Sequence, residues 1–340
     1  MTTPPFAPIA DALARYHKFY ITTHVGPDGD AIGSALALKL ALEGMGKEAV
    51  YVCRDGVPAS CRYLPRTDGV LTAPPPGFVA ECAIVLDCDG TPSRVASPYE
   101  PIAAAPFKIL IDHHRTSEPI FDVNWIHSSE PATAMMIYKL LDVLKCPITA
   151  DMAQCLLCGI STDTGHFRFA ATSPAIFQAA GDLVRFGADP AETSFRLFDE
   201  RSFASTQLLG LSLFNMQSES DGELVYTALA FKDFSTIGTG DESSENVVNY
   251  LRNVKGCRMA IIFRERKDDE GSVTRISVRA DPALRADLFC NQYGGGGHAA
   301  AAGCRERGPF DEVVKKVVKN ATEWLGGNAA LTIALSESVA

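Results

Sequence analysis

Three absences narrow the reading of this sequence before any motif is considered. No stretch of about 18 uncharged apolar residues occurs in the 340-residue chain, and a membrane-spanning helix needs that length. No membrane partner is therefore expected. The amino terminus, MTTPPFAPIADALARYHK, has no basic region followed by an apolar run. No secretory signal is expected, and a cytoplasmic protein is the default reading. Positive charge is scarce as well: 31 Lys and Arg against 41 Asp and Glu leave a net charge of −10. Long duplex nucleic acid draws its affinity from many neutralised phosphates, which this balance opposes. Small phosphorylated substrates are not opposed, because a bound cation supplies positive charge locally.

Other signatures are missing too. The ten cysteines are scattered. Their one close pair, Cys155 and Cys158, has no second pair at zinc-site spacing, so both are expected to be small apolar residues of a helix. The glycines of GPDGDAIG (26–33) are spaced GxxGxxxG rather than GxGxxG. Without a cation, Asp28 and Asp30 would repel a pyrophosphate there, which argues against a dinucleotide-binding turn. No internal repeat or low-complexity block occurs.

What is present is an alternation. FYITT, KEAVYVC, CAIVLDC and FKILIDHH read as buried strands, and AIGSALALKLALEGMG, AMMIYKLLDVL and ADMAQCLLCGI as helices. That pattern predicts an α/β fold with a largely parallel sheet flanked by helices. Charged helical segments follow. From about residue 222, ELVYTALAF, CRMAIIFRER and VTRISVRA predict strands of a smaller α/β domain, the last two joined by the turn KDDEG. The expected organisation is a catalytic domain over 1–188, a helical linker over 189–218, a substrate-binding domain over 219–326 and a flexible tail over 327–340, with a cleft between the two domains.

Acids and imidazoles gather just past the apolar runs, at four expected strand ends: His24-Val-Gly-Pro-Asp28-Gly-Asp30, Leu-Asp87-Cys-Asp89-Gly, Asp112-His113-His114-Arg115-Thr116, and Gly159-Ile-Ser-Thr-Asp163-Thr-Gly-His166-Phe-Arg168. Four of the seven histidines lie in these segments. Any one Asp-Gly stretch is ordinary turn chemistry, and Asp89 is expected to be such a turn residue. Four together at one rim of an α/β sheet, where ligands bind, are not explained by turns. Clustered carboxylates have raised pKa values unless a cation sits among them. Carboxylates and imidazoles without thiolate suit Mn²⁺ or another hard-to-borderline ion. Six candidate ligands exceed one octahedral ion's needs, and two ions roughly 3.5–4 Å apart sharing a carboxylate would fit and would clamp a displacement at phosphorus.

These segments, in this order, resemble the four motifs of the DHH phosphoesterase superfamily. GGGGHAAAAG (294–303) resembles the signature of the DHH-associated C-terminal domain. Chain length and the lack of further domains are similar to the nano-RNase/pAp-phosphatase branch. The resemblance implies that His24 and Asp28 hold one Mn²⁺, that Asp30, His113 and Asp163 hold a second, and that Asp87 bridges both, with Mg²⁺ or Co²⁺ as substitutes. It implies that Asp112 orients His113, and that His114 faces the phosphate as donor or acid. The glycine loop, Gly295, Gly296 and Gly297, with His298 and Arg279, is implied to bind the substrate's nucleotide or terminal phosphate. HAAAAG itself reads as a small-residue helix start. Arg168 is a candidate for lining the cleft, and Arg264 and Arg266 are expected to be solvated strand-end charges.

The expected activity is hydrolysis of short oligoribonucleotides, about two to five units long by the resemblance, to 5′-mononucleotides, with pAp as a further substrate. A pApA or cyclic-dinucleotide phosphodiesterase is the nearest alternative. A pyrophosphatase or polyphosphatase and a non-catalytic nucleotide sensor are more distant. Branch relatives are often homodimers, but no interface is legible in the sequence.

Overall fold

The structure, a computed structural model, describes residues 5–114, 117–244, 246–268 and 271–337. Arg115 and Thr116 of the third motif, and residues 269 and 270 of the KDDEG turn, lie outside them. The chain divides into two units, 1–200 and 201–340. The segment expected as a linker is therefore shared, with 189–200 in the first unit and 201–218 in the second.

The first unit is built on six parallel strands, β1 (Lys18–Thr22), β2 (Glu48–Val52), β3 (Val70–Leu71), β4 (Cys82–Leu86), β5 (Phe107–Asp112) and β6 (Val123–Ile126), in the order β3-β2-β1-β4-β5-β6. Its helices are α1 (Phe6–Arg15), α2 (Gly29–Gly44), α3 (Glu100–Ala104), α4 (Thr133–Val143), α5 (Ala150–Asp163), α6 (Pro174–Arg185) and α7 (Pro190–Ser194). Strands buried on both faces read as continuous apolar runs, and β1 and β4 do so, with Phe19, Tyr20, Ile21, Val85 and Leu86 all at 0% exposure. The strand order reverses between β1 and β4. A doubly wound sheet opens its ligand crevice at such a reversal, beyond the carboxyl ends of the strands.

Glycines on α2 and α5 set the second constraint. A Cβ on Gly33 would meet the Cys155 carbonyl oxygen at 2.3 Å, and one on Gly29 would meet Thr162 Oγ1 at 2.0 Å. Moving four residues forward on α2 thus moves seven back on α5, so the two helices pack antiparallel at close range. The start of α2 is thereby brought beside the end of α5. Cys155 and Cys158 sit fully buried in this packing, and all ten cysteines are free thiols.

The second unit has six strands in the order β11-β12-β10-β9-β8-β7: β7 (Gln217–Glu219), β8 (Leu224–Leu229), β9 (Met259–Asp268), β10 (Gly271–Ala280), β11 (Gly296–His298) and β12 (Ala301–Arg307). All pairings are antiparallel except β8 with β9. Its helices are α8 (Phe203–Phe214), α9 (Phe231–Ile237), α10 (Val247–Arg252), α11 (Ala286–Asn291) and α12 (Phe310–Glu337). The mixed α/β class expected from the alternation holds in both units. HAAAAG is not a helix start: its residues form the hairpin of β11 and β12. The small side chains are needed because a Cβ on Gly297 would meet Ala301 O at 2.6 Å and Ala302 Cα at 2.7 Å. No described helix is long and apolar enough to cross a membrane.

Candidate metal centre

Three strand ends and two helix ends, the start of α2 and the end of α5, supply the cluster. His24 follows β1, Asp87 follows β4, and Asp112 closes β5, with His113 and His114 next. Asp163 is the last residue of α5, so the fourth motif acts from a helix terminus and not from a strand end. Asp28 caps the start of α2, its Oδ1 accepting from Asp30 N (2.9 Å) and Ala31 N (3.1 Å). A carboxylate at a helix carboxyl terminus meets the negative end of the dipole, which makes Asp163 a residue that wants a cation.

Each buried acid is held by named donors. Asp30 is fully buried, and its two oxygens accept the amides that open α4, Thr133 N at 2.6 Å and Ala134 N at 2.8 Å. Those amides are orphan donors of a helix start. Asp87 sits in the left-handed region at φ 53°, a conformation costing about 1–2 kcal/mol for a residue with a Cβ. Such strain persists where surrounding structure demands it, and here it turns the carboxylate to the middle of the cluster. Asp87 Oδ1 accepts from Thr133 Oγ1 at 3.1 Å. His24 Nε2 lies 3.4 Å from its Oδ2 and His113 Nε2 3.4 Å from its Oδ1.

The ligand atoms of His24, Asp28 and Asp87 all lie within 4.8 Å of one another, as do those of Asp30, His113 and Asp163, and those of Asp87, His113 and His114. His113 Nε2 is 3.0 Å from Asp163 Oδ2. Backbone carbonyls fix two rings so that Nε2 faces inward: Val25 O contacts His24 Nδ1 at 3.0 Å, and Glu130 O contacts His113 Nδ1 at 3.2 Å. Asp112 does not orient His113. Its Oδ1 accepts from His114 Nδ1 (2.8 Å) and His114 N (3.2 Å), and its Oδ2 accepts from Ser117 Oγ. The cause is local: the backbone turns back at residue i+2, so the residue in reach of the Asp112 carboxylate is His114. Asp89 is occupied by its own turn, accepting from Thr91 N (2.9 Å) and Thr91 Oγ1 (2.8 Å).

Protonation shows how short of positive charge the cluster is. Burial, with Asp87 and Asp163 nearby, raises Asp30 well above the carboxylate range. Burial likewise pushes Asp163 up to about 6. Burial works against charged imidazoles, yet Asp87 lifts His24 to about 9, and Asp163 with Asp87 lifts His113 to about 12. Burial also opposes ionised Asp87, but hydrogen bonds from His113 and His24 outweigh it and hold this carboxyl low. His114 is raised by its bond to Asp112. The histidines thus carry protons where cations would otherwise sit. With three imidazoles, four carboxylates and no thiolate, the donor set fits a hard-to-borderline divalent ion.

The second unit gathers guanidinium groups. Arg275 on β10 stands opposite Arg264 on β9 and Arg305 on β12. With Ser277, Tyr293, Gly294 and Gly295 these line a pocket of about 570 Å³. Arg279 lines a neighbouring pocket of about 280 Å³ with Arg264, Ser244, Asn246 and Ser277. Its guanidinium donates to the carbonyl of Val278 (3.1 Å), and no carboxylate among the described residues lies in ion-pair range of it. Arg264 is no solvated strand end: its side chain is 11% exposed, bonded to Ser277 and 3.7 Å from Asp241. Alternation places Arg264 and Arg266 on one face, but that face is covered. Gly296, Gly297 and His298 form the exposed strand β11. Arg168 has its Nε on Gly165 O (2.6 Å) and its guanidinium over Phe198. Sequence reasoning did not single out Thr133, Ser117, Arg275, Arg305 or Asp241. Only the arginines carried a legible signal, as charges at every second position of a strand.

Comparison with known proteins adds the following. Residues 18–160 match the model of the DHH family N-terminal domain, and residues 223–327 match that of the DHHA1 domain. The chain is 35% identical over 311 residues, 90% of each chain, to a protein of Thermus thermophilus named bifunctional oligoribonuclease and PAP phosphatase NrnA. It is 27% identical to the Bacillus subtilis protein of the same name over 86% of this chain and 90% of that one. A crystal structure of an exopolyphosphatase-related protein from Bacteroides fragilis superposes with a TM-score of 0.84 at 24% identity, over 94% of this chain and 95% of that one.

Proposed function

Because the chain belongs to the DHH family, with a DHH N-terminal domain followed by a DHHA1 domain, we propose that it is a metal-dependent phosphoesterase. Its substrates are short oligoribonucleotides, cut to 5′-mononucleotides, and pAp, cut to AMP. The observation that carries the reading is the cluster of His24, Asp28, Asp30, Asp87, His113 and Asp163. Two relatives of matching length bear the activity in their names.

On this reading His24 and Asp28 hold one Mn²⁺, Asp30, His113 and Asp163 hold another, and Asp87 serves both. Mg²⁺ or Co²⁺ are substitutes. Bound there, the ions would supply Lewis acidity toward the phosphoryl oxygens and the attacking water. The chain's own groups do the rest. Asp112 keeps a proton on His114 Nδ1, so the ring's other nitrogen is presented outward from a side chain 39% exposed. The raised pKa of His114 suits a donor to a phosphate oxygen or to the leaving oxygen. The α4 amides hold Asp30 in place. Arg279, the glycine strand Gly295, Gly296 and Gly297, and His298 bind the nucleotide or its terminal phosphate, for which a guanidinium suits bidentate contact. Arg168, in the first unit, is a further guanidinium for contact with the substrate.

A mass-spectrometric time course with Mn²⁺ and a dinucleotide, a five-mer and a twenty-mer tests the proposal. Mononucleotides should appear fastest from the short substrates. Equal or faster turnover of the twenty-mer contradicts the size preference, and no product from any substrate defeats the phosphoesterase reading.

A further inference from the structure

The end of α5 does more than deliver Asp163. Thr164 closes the helix, its Oγ1 donating to Ile160 O (2.6 Å) and accepting from Phe167 N (3.0 Å). The next three residues are all left-handed: Gly165 at φ 56°, His166 at 58° and Phe167 at 63°. Two of them carry a Cβ, so this conformation has to be held by its surroundings. His166 N donates to Ser161 O at 2.7 Å, and the His166 ring packs against Phe167 and Phe198. Phe167 stacks on Phe177 with ring planes 21° apart. The turn then brings Phe169 back, its N–H on Thr164 O at 2.9 Å, one residue from Asp163.

Phe169 differs from Phe167 and His166 in having no aromatic ring partner among the described residues. It is 56% exposed, although its ring is fixed from below. A Cβ on Gly165 would press against that ring, 2.5 Å from Cε1 and Cζ and 2.8 Å from Cε2. Gly165 thus leaves the space that the Phe169 ring occupies. An exposed aromatic alone means little. A ring bedded on a glycine, presenting its other face to solvent, and tied to the residue that follows a candidate metal ligand, is a built surface.

We infer that Phe169 is the platform on which a nucleobase flanking the scissile phosphate stacks. Purine and pyrimidine rings stack on aromatic side chains with little sequence preference. The inference rests on the phosphoesterase reading above and adds to it how one substrate base is held. One turn of chain then carries both Asp163 for the phosphate end and a ring for the base, which favours nucleotides over bare phosphates at the same cluster.

The test compares wild type, Phe169→Ala and Phe169→Trp on ApA and on two analogues, each lacking one of the two bases. Loss of the ring should lower kcat/KM on ApA about tenfold, or ~1.4 kcal/mol, mainly through KM. The Trp variant should stay near wild type, and the analogue lacking the stacked base should not respond to the Ala change. Equal losses on all three substrates, or no loss on ApA, overturn the inference. A binding arm separates it from the phosphoesterase reading, because it holds whether or not wild type cleaves ApA. AMP, but not ribose 5-phosphate, should quench the additional emission of the Phe169→Trp variant in metal-free buffer. Unchanged emission with both ligands overturns the platform independently of turnover.

Discussion

Gly159 lies at a tight point behind the candidate metal centre, and Gly159→Ala should damage both stability and metal binding. The added Cβ would stand 2.5 Å from Ala134 Cβ, 2.7 Å from Asp30 Oδ1 and 3.3 Å from Asp30 Cα. None of these atoms is the far end of a flexible side chain. The Asp30 carboxylate would have to leave the Thr133 and Ala134 amides. Alanine gains ~1 kcal/mol over glycine within a helix. Against that stand overpacking, at ~1–3 kcal/mol, and the weakening of two charge-assisted bonds, at ~1.5–3 kcal/mol each when lost outright. A net loss of about 3 kcal/mol, at ~2–4 °C per kcal/mol for a unit of this size, lowers Tm by about 6–12 °C. Circular dichroism melts in EDTA and Mn²⁺ calorimetry read the two effects, with the affinity expected to fall about tenfold or more. Adding Ala134→Gly removes the contact at Cβ but not the one at Asp30. It should therefore leave the affinity loss in place. A variant with wild-type Tm and wild-type Mn²⁺ affinity would refute the close-packing argument.

Four further outcomes follow. His24 is lifted to about 9 and His113 to about 12, so both carry protons at pH 7 in the metal-free protein. Each of the two divalent ions must expel one of these protons, and the affinity of each site should rise about tenfold per pH unit between pH 7 and 8, with proton release measured by calorimetry in buffers of different ionisation heat. By the same sign, the contribution of protonated His24 to metal-free stability is complete below pH 6.5 and is lost as pH rises through about 9, which a series of urea melts would resolve. Asp112→Asn should leave metal stoichiometry intact but lower kcat/KM about 10–100-fold, because His114 loses the acceptor that fixes its ring; loss of metal instead would place Asp112 among the ligands. In the second unit, Asp241 is almost buried, with Arg275 at 2.5 Å, Arg266 at 3.2 Å and Arg264 at 3.7 Å. Asp241→Ala should cost about 3–5 kcal/mol in denaturant unfolding, and a loss under 1 kcal/mol would contradict that pairing.

The parallel core was legible because β1, β4 and β5 are apolar on both faces, and a run such as CAIVL admits few other readings. Two strands were not. Val70–Leu71 is two residues long, and Val123–Ile126 is interrupted by Asn124, so neither shows a period. The hairpin of β11 and β12 was misread because Gly and Ala rank low as strand formers. They are present for the closeness of Gly297 to Ala302, which only the tertiary pairing creates. At the site, residue type and spacing pointed to segments whose acids and imidazoles the fold gathers, since carboxylates and imidazoles beyond apolar runs have few structural uses. The supporting contacts were invisible because many come from backbone atoms: the amides of Thr133 and Ala134, the carbonyls of Val25 and Glu130. Arg264 shows the limit of alternation, which assigns a face but not what covers it.

The strand order has a consequence for synthesis. Every side chain of the candidate metal centre lies between His24 and Asp163, and the sheet and helices that align them end before residue 200. Parallel strands joined by crossovers close slowly, after distant segments have met. On the ribosome, where domains fold as units from the amino terminus, the nascent chain holds all its cation donors well before the arginine-rich half has emerged. Cation capture can therefore act as an early fastening of the half-made polypeptide, ahead of any encounter with RNA.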